Sequence, residues 1–128
     1  MNTTAGIRPK KLLVTIGGFA GPAFKIEYLD DDVIIYESNQ EIEFKAIEVS
    51  NADWKAFRTQ LDRANVWLWN ADYDNFDILD GTQWEVSIKY SDESIRSCGS
   101  NAYPENFDVF LSAIRQLIGG LDFEACDD

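Results

Sequence analysis

The alternation of apolar and polar residues in the first half of the chain predicts a block of short strands. Four such runs fall within residues 11–16, 23–29, 33–37 and 41–49, and glycine, aspartate or asparagine residues separate them. Alternation places one face of each strand in a core, and closely spaced strands with short turns favour antiparallel neighbours. The first half therefore begins with a four-stranded antiparallel unit.

The spacing of apolar residues changes after residue 49, where Ser50-x-x-Asp53 has the form of a helix N-terminus. The apolar residues that follow recur at steps of three and four and share one helical face: Trp54, Phe57, Leu61 and Ala64. The basic residues on the other faces are expected to face solvent: Lys55, Arg58 and Arg63. This pattern predicts a helix that covers the sheet.

A second block repeats the order of strands and then a helix. Residues 82–90 alternate clearly, with Trp84 on the inner face, and residues 95–98 form their hairpin partner. Pro104 fits the first turn of a helix that ends at Gly119-Gly120. Residues 66–69 are either a short strand or a transition from helix to loop, and the sequence leaves both open.

These elements predict a single α+β domain with the order ββββα(β)ββα: a mainly antiparallel sheet of about six strands, with two helices packed on one face. The domain is expected to span residues 11–120, after a flexible segment 1–10 and before an acidic tail 121–128. Within that tail, Leu121 and Phe123 could dock on the domain. The apolar run at residues 12–16 is too short for a signal peptide, so a cytoplasmic location is expected.

The acidic charge is concentrated in the second half of the chain. The net charge is −12; residues 66–128 hold 13 acids and 3 bases, a net of −10, whereas residues 1–65 hold 10 acids and 8 bases, a net of −2. An acidic surface repels nucleic acid and anionic membranes, so neither is expected as a partner. It favours a basic protein, although solubility alone also explains such a charge.

An acidic loop at residues 70–81 is the strongest candidate for binding a cation. Its carboxylates are hard oxygen ligands of the kind that calcium takes: Asp72, Asp74, Asp77 and Asp80. Neither register of an EF-hand fits, because Phe76 or Gly81 then stands where a ligand is required. We therefore predict no metal and no cofactor, and an irregular calcium site stays the alternative.

Catalytic signatures are missing from the sequence. The chain has no histidine, which removes Ser-His and Cys-His pairs, and no pair among its 23 acids is singled out by spacing. The segment Gly17-Gly18-Phe19-Ala20-Gly21 lacks the helix that a phosphate-binding loop needs. Cys98 and Cys126 have no metal-binding context, and a bridge between them stays open.

Aromatic side chains accompany the acids in two loops. The candidate binding residues are Trp69, Asp72, Tyr73, Asp74, Phe76, Asp77, Asp80, Asn101 and Tyr103. Aromatic rings with acidic neighbours are good anchors for a basic protein surface. Trp84, by contrast, is expected in the core because it alternates with Val86 and Ile88. For Trp69, Tyr73 and Phe76 the sequence leaves open whether each ring fills the core or lies at the surface.

The pattern Asp80-Gly81-x-x-Trp84, followed by Gly99-x-Asn101-x-x-Pro104-x-x-Phe107, resembles one found in small uncharacterised bacterial α+β proteins. The resemblance covers about the last third of the domain, and it implies a fold type and a bacterial or phage-like origin, with no activity attached. We therefore expect a non-enzymatic protein-binding module, comparable to an inhibitor or an immunity protein. The alternative is a small-ligand or carboxylate-based enzyme domain with a pocket between sheet and helices.

Overall fold

The computed structural model describes residues 8–18, 23–29, 33–39, 43–74, 82–100 and 102–123. Within these residues the chain forms seven strands, two α-helices and one short 3₁₀ helix. In chain order they are β1 (Lys11–Gly18), β2 (Ala23–Leu29), β3 (Val33–Ser38), β4 (Lys45–Glu48), α1 (Asn51–Arg63), the 3₁₀ helix (Val66–Leu68), β5 (Asp72–Asp74), β6 (Thr82–Lys89), β7 (Ser94–Ser100) and α2 (Phe107–Leu117).

The strands form one sheet in the order β4-β3-β2-β1-β6-β7-β5. Every neighbouring pair is antiparallel except β5 and β7, which run parallel. The α+β class and the order of elements are confirmed. The optional strand between α1 and the hairpin exists, but it lies at Asp72–Asp74 in the predicted acidic loop, and residues 66–68 form the 3₁₀ helix instead.

The core lies on one face of the sheet, where alternate strand residues meet both helices. The largest fully buried side chains come from every layer: Trp54, Phe110, Phe123, Leu12, Ile16, Ile26, Ile34, Leu61, Ile88, Ile114, Ile118 and Val14. Trp54 of α1 packs edge-on against Tyr28 of β2 at 4.9 Å between ring centroids. Phe107 of α2 contacts Trp84 of β6 at 4.9 Å. Both helices therefore pack on the same face, as predicted, and no helix of the described residues lies on the opposite face, which we call the uncovered face.

Interactions with neighbouring residues determine where α1 begins and where α2 begins and ends. The Ser50 hydroxyl accepts a hydrogen bond from the Asp53 amide at 3.1 Å, which is the predicted N-terminal cap of α1. α2 begins at Phe107, later than Pro104 suggested, because Asn106 adopts a left-handed conformation with φ of 66°. At its C-terminus the Gly119 and Gly120 amides donate back to the Gln116 and Arg115 carbonyls, a Schellman arrangement that needs the positive φ of Gly119.

Arg58 was predicted to face solvent, and this prediction is wrong. Its guanidinium lies over the Tyr90 ring at 4.7 Å and the Trp67 ring at 5.2 Å, and only 19% of the side chain is exposed. It also bonds the carboxylates of Asp62 and Asp92. The spacing of the apolar residues places Arg58 outside the apolar face of α1. In the structure, however, the turn after β6 packs against the side of the helix where Arg58 lies.

The two ends of the described chain are fixed to the domain. The Arg8 guanidinium donates to Asn51 Oδ1, which links the segment before β1 to the start of α1; residues 1–7 lie outside the described residues. At the other end the Phe123 side chain is fully buried against Phe24, and the Tyr36 hydroxyl donates to the Asp122 carbonyl at 2.8 Å. Residues 121–123 therefore contact the core, and Leu121 and Phe123 dock on the domain as the sequence allowed.

Neither helix in the described part of the chain is long and apolar enough to cross a membrane.

Candidate functional site

The strands that lead into the candidate binding segments, β5 and β7, finish at the same end of the sheet. Strands β1, β3, β5 and β7 finish at this end, and β2 and β6 begin there, as their pairing registers show. We call it the loop end. It places the last residue of β5, Asp74, directly beside the last residue of β7, Ser100. Two strands that are distant in sequence thus end side by side, one leading into the acidic loop and the other toward Tyr103.

An aromatic cluster supports the loop end on the helix-covered face. Its members are Trp69, Tyr73, Trp84, Tyr103, Phe107 and Phe110, each with its ring centroid within about 6 Å of another member's. Trp84 and Phe107 lie in its centre, with Tyr73 on one side and Tyr103 on the other. The tyrosines are its accessible members: Tyr73 is half-buried and Tyr103 is 41% exposed. The cluster therefore holds two tyrosine rings at the surface on a rigid support.

Gly99 allows the Trp84 indole to lie flat at this position. A Cβ atom at residue 99 would stand 2.5 Å from Trp84 Nε1 and 2.8 Å from the Ala102 carbonyl oxygen, closer than real contacts allow. The Trp84 Nε1–H group donates to that same carbonyl at 2.9 Å. The indole thus joins the end of β7 to the segment before α2, which fixes the path of the chain toward Tyr103.

Trp69 belongs to the core rather than to the accessible surface. It is 9% exposed, and its ring contacts Trp84, Phe107 and Phe110 at 5.3–6.1 Å. Its Nε1–H group is buried with no hydrogen-bond partner in the described structure. As a candidate binding residue, Trp69 therefore supports the surface from below and presents little of itself to a partner.

Strand β5 presents Asp72 and Tyr73 to opposite faces of the sheet. The Asp72 side chain is exposed on the uncovered face, where the Cys98 thiol donates to its Oδ1 at 3.3 Å. The Tyr73 ring lies on the helix-covered face beside Trp84, and its hydroxyl accepts from the Asn70 amide at 2.9 Å. Because β5 is an edge strand, a partner approaching from the side reaches both residues.

The other predicted site residues lie outside what the structure describes. Phe76, Asp77, Asp80 and Asn101 fall in segments that are not described, and of Asp74 only the backbone in β5 is described. The candidate residues that the structure places around one aromatic cluster are therefore Tyr73, Trp69 and Tyr103, and Asp72 lies beside Tyr73 on β5. Among the described residues, no group of three or more cysteines and carboxylates is placed to hold a metal ion. The irregular calcium site predicted as an alternative falls on the acidic loop, most of which is not described.

A depression of about 600 Å³ opens on the uncovered face at the loop end. Its lining includes Thr15, Gly17, Ala23, Lys25, Glu37 and Gln83. Gly17 and Ala23 are directly paired across β1 and β2. Because Gly17 has no side chain and Ala23 has only a methyl group, the sheet surface is not built up at this pair. Lys25 lies 3.9 Å from Glu37 and 4.0 Å from Glu27 on one side of it. The pocket between sheet and helices that the sequence offers as an alternative stays a prediction; for the depression described here, the small pair Gly17 and Ala23 was the available signal in the sequence.

No protein-family model matches the chain, and no curated protein matches it significantly.

Proposed function

We propose that this protein is a non-enzymatic protein-binding module, of the inhibitor or immunity type, whose partner is a basic protein. The partner would contact the β5 edge at the loop end, where Tyr73, Tyr103 and the Asp72 carboxylate are accessible. The observation that carries the proposal is the attachment of both tyrosines to the touching core rings Trp84 and Phe107.

Rigid support makes these tyrosines efficient anchors. Binding costs free energy for every side chain that must be ordered at the interface, and about 0.5–1.5 kcal/mol is typical for a flexible one. Tyr103 lies 5.1 Å from Phe107, and Tyr73 lies 5.9 Å from Trp84, centroid to centroid, so packing already restricts both rings. Most of the free-energy cost of ordering these two rings is therefore incurred during folding and does not weaken binding.

Charge supports a basic partner over other classes. Asp72 is exposed at the edge of the sheet, and it belongs to the half of the chain whose net charge is −10, from 13 acids and 3 bases. Such a surface accelerates association with a basic protein and repels nucleic acid and anionic membranes. We expect association that is fast and sensitive to salt.

Affinity capture from the native cell, at low and at high salt, tests the proposal. A basic protein should be recovered at low salt, and its affinity can then be measured against variants. Tyr103→Ala should weaken binding about tenfold or more, as for the truncation of a packed aromatic anchor. Asp72→Asn should slow association and reduce the salt dependence.

Matched controls come from the same molecule. Leu68 is 80% exposed, and Glu48 is an exposed acid on β4, the opposite edge strand of the sheet. Leu68→Ala and Glu48→Gln should leave the affinity unchanged. Failure to recover any basic partner at low salt, or equal losses in the control variants, would refute the proposal.

A small-ligand binding role is the second candidate, and the depression on the uncovered face favours it. Its volume of about 600 Å³ lies within the range of known ligand pockets. Its described lining contains a single carboxylate, Glu37, so a mechanism based on two carboxylates has less support there than simple binding. Amide-resolved NMR with a library of polar small molecules tests this role, which predicts shifts at residues 15, 17, 25 and 83.

A further inference from the structure

Three cations share the uncovered face at the end of the sheet opposite the loop end. Lys11 of β1 and Lys89 of β6 are directly paired across the strands. Arg96 of β7 pairs with Ser87, which lies two residues from Lys89 on the same face. All three cationic side chains are exposed. We call them the cation triad.

Among the described residues the triad makes no close contact with a counter-charge, although the pairing registers place Glu27 diagonal to Lys11 and Glu85 diagonal to Arg96 on the same face. None of its side chains makes a hydrogen bond or an ion pair within the chain as the structure describes it, although acids outnumber bases by 23 to 11. Lys25 and Arg58, by comparison, each lie within reach of two carboxylates. Like charges directly opposite each other on adjacent strands are unfavourable, so the pairing of Lys11 with Lys89 opposes folding slightly. An external anion would relieve that repulsion.

The spacing of the triad suits a compact dianion. Directly opposed residues have Cβ atoms about 5 Å apart and diagonal neighbours about 7–8 Å, so the long side chains can converge on one group. The hydroxyls of Ser87 and Ser94 lie on the same face between these cations and can donate further hydrogen bonds. A phosphate monoester carries about two negative charges at neutral pH, and a guanidinium contacts its oxygens with two parallel N–H groups. A carboxylate carries one charge and would leave two cations unmatched.

We propose that Lys11, Lys89 and Arg96 form a binding site for a phosphate monoester. This site is separate from the β5 edge and independent of the protein-binding role proposed above. An extended polyanion is a poorer occupant, because the rest of the chain has a strongly negative charge that would repel it. A single phosphoryl group is small enough to sit within a Debye length of the triad, about 8 Å at physiological salt, where the local cations dominate.

Amide-resolved NMR of the full chain, titrated with inorganic phosphate, tests the site directly. Sodium chloride is exchanged for phosphate at constant ionic strength, at a pH where phosphate is mainly the dianion. Saturable shifts should appear at residues 11, 87, 89, 94 and 96, with a dissociation constant in the roughly millimolar range expected for a few exposed charge contacts. Shifts that do not saturate, or that fall elsewhere, would overturn the proposal.

Three single variants refine the test. Lys89→Gln and Arg96→Gln should each weaken phosphate binding about fivefold, the loss expected for one exposed charge contact. Lys55→Gln removes an exposed lysine from α1 and should leave the affinity unchanged. An equal loss in all three variants would mean that only net charge matters and would also overturn the site. Because all three positions are exposed, the variants are expected to fold, which their amide spectra verify.

The source of the phosphoryl group is resolved by two further probes, a phosphoserine peptide and glycerol phosphate. Tighter binding of the peptide than of inorganic phosphate indicates a phosphorylated protein as the natural ligand. Tighter binding of glycerol phosphate indicates a small metabolite. Binding of neither probe, when inorganic phosphate binds, would overturn the assignment to a monoester.

Discussion

Arg58 and Asp92 form a two-point ion pair that joins α1 to the turn between β6 and β7. Arg58 Nη1 and Nη2 each donate to one carboxylate oxygen of Asp92 at 3.0 Å, while Nε donates to Asp62 at 2.9 Å. Asp62 also accepts from Trp67 Nε1 at 2.8 Å. The guanidinium is therefore held in its plane by three hydrogen bonds and covered by two aromatic rings, which makes it a fixed link between helix and sheet.

Replacing Arg58 by methionine should destabilise the protein by about 1–2 kcal/mol. The change keeps most of the apolar stem but removes the charged hydrogen bonds and the contact with the rings of Trp67 and Tyr90. Urea denaturation gives the free energy of unfolding. Lys55→Met, on an exposed position of the same helix, is the matched control and should change it by less than about 0.5 kcal/mol. Equal effects of the two substitutions would contradict a structural role for the pair.

The same ion pair predicts a pH dependence in acid. The Arg58 guanidinium, mainly through its hydrogen bonds, lowers the pKa of Asp92 below the ordinary value. A lowered pKa in the folded state contributes stability above the unfolded pKa, about 3.9, and loses it as the pH falls through the folded pKa. The natural protein should therefore have a higher melting temperature than Asp92→Asn by a constant amount near neutral pH. Below about pH 4 this difference should decrease toward zero. A difference that persists unchanged in acid would contradict this.

For Tyr90 we expect a pH dependence of stability opposite to that of Asp92: stability is lost as the pH rises. Burial raises the pKa of its hydroxyl, which has no hydrogen-bond partner in the described structure. A raised pKa contributes stability below the unfolded value of about 10, and that stability is lost as the pH rises above it. Tyr90→Phe should be as stable as the natural protein or slightly more so at neutral pH, because an unpartnered hydroxyl is removed. Above about pH 10 its advantage should grow, as denaturation midpoints across a pH series would show.

Gly99→Ala should lower the free energy of unfolding by about 1–3 kcal/mol, the usual cost of forcing extra volume into a packed site. The new methyl group would meet the Trp84 indole and the Ala102 carbonyl, and the carbonyl is backbone that cannot rotate away. Ser94→Ala, at an exposed position of the same strand, serves as the control. Tryptophan fluorescence should also change in Gly99→Ala, since Trp84 must move. An unshifted spectrum with full stability would show that the contact is readily relieved.

The elements that could be predicted are those that local chemistry defines. Trp84 alternates with Val86 and Ile88, and Ser50 caps α1 through its own side chain, so both were evident in the sequence. Strand β5 was not, because three residues with two aspartates have no strand pattern of their own and depend on pairing with β7.

The site was predictable only in part, for the same reason. Sequence alone could not distinguish Trp69, which the 3₁₀ helix turns into the core, from Tyr103, which stays at the surface. The cation triad could not be identified from the sequence either. Its members lie on three different strands, and only the pairing register shows that they are neighbours.

Residues 121–123 begin the segment that was predicted to be an acidic tail, within which Leu121 and Phe123 could dock. Phe123 is fully buried and packs on Phe24 at 5.7 Å between centroids, and its carbonyl accepts from Arg115 Nη1 at 2.8 Å. Phe123→Ala should therefore destabilise the protein by about 3–5 kcal/mol, the cost of removing a large buried ring. Leu121→Ala, at a half-buried position in the same segment, should cost clearly less.

Removal of residues 121–128 should have at least the effect of Phe123→Ala, because it also deletes the Asp122 carbonyl, which accepts a hydrogen bond from the Tyr36 hydroxyl. Thermal unfolding of the three variants gives the order of stability. If the truncated chain were as stable as the full one, the segment would be an appendage and the domain would end at Gly120. The expected loss instead makes Phe123 the last described residue that the core requires.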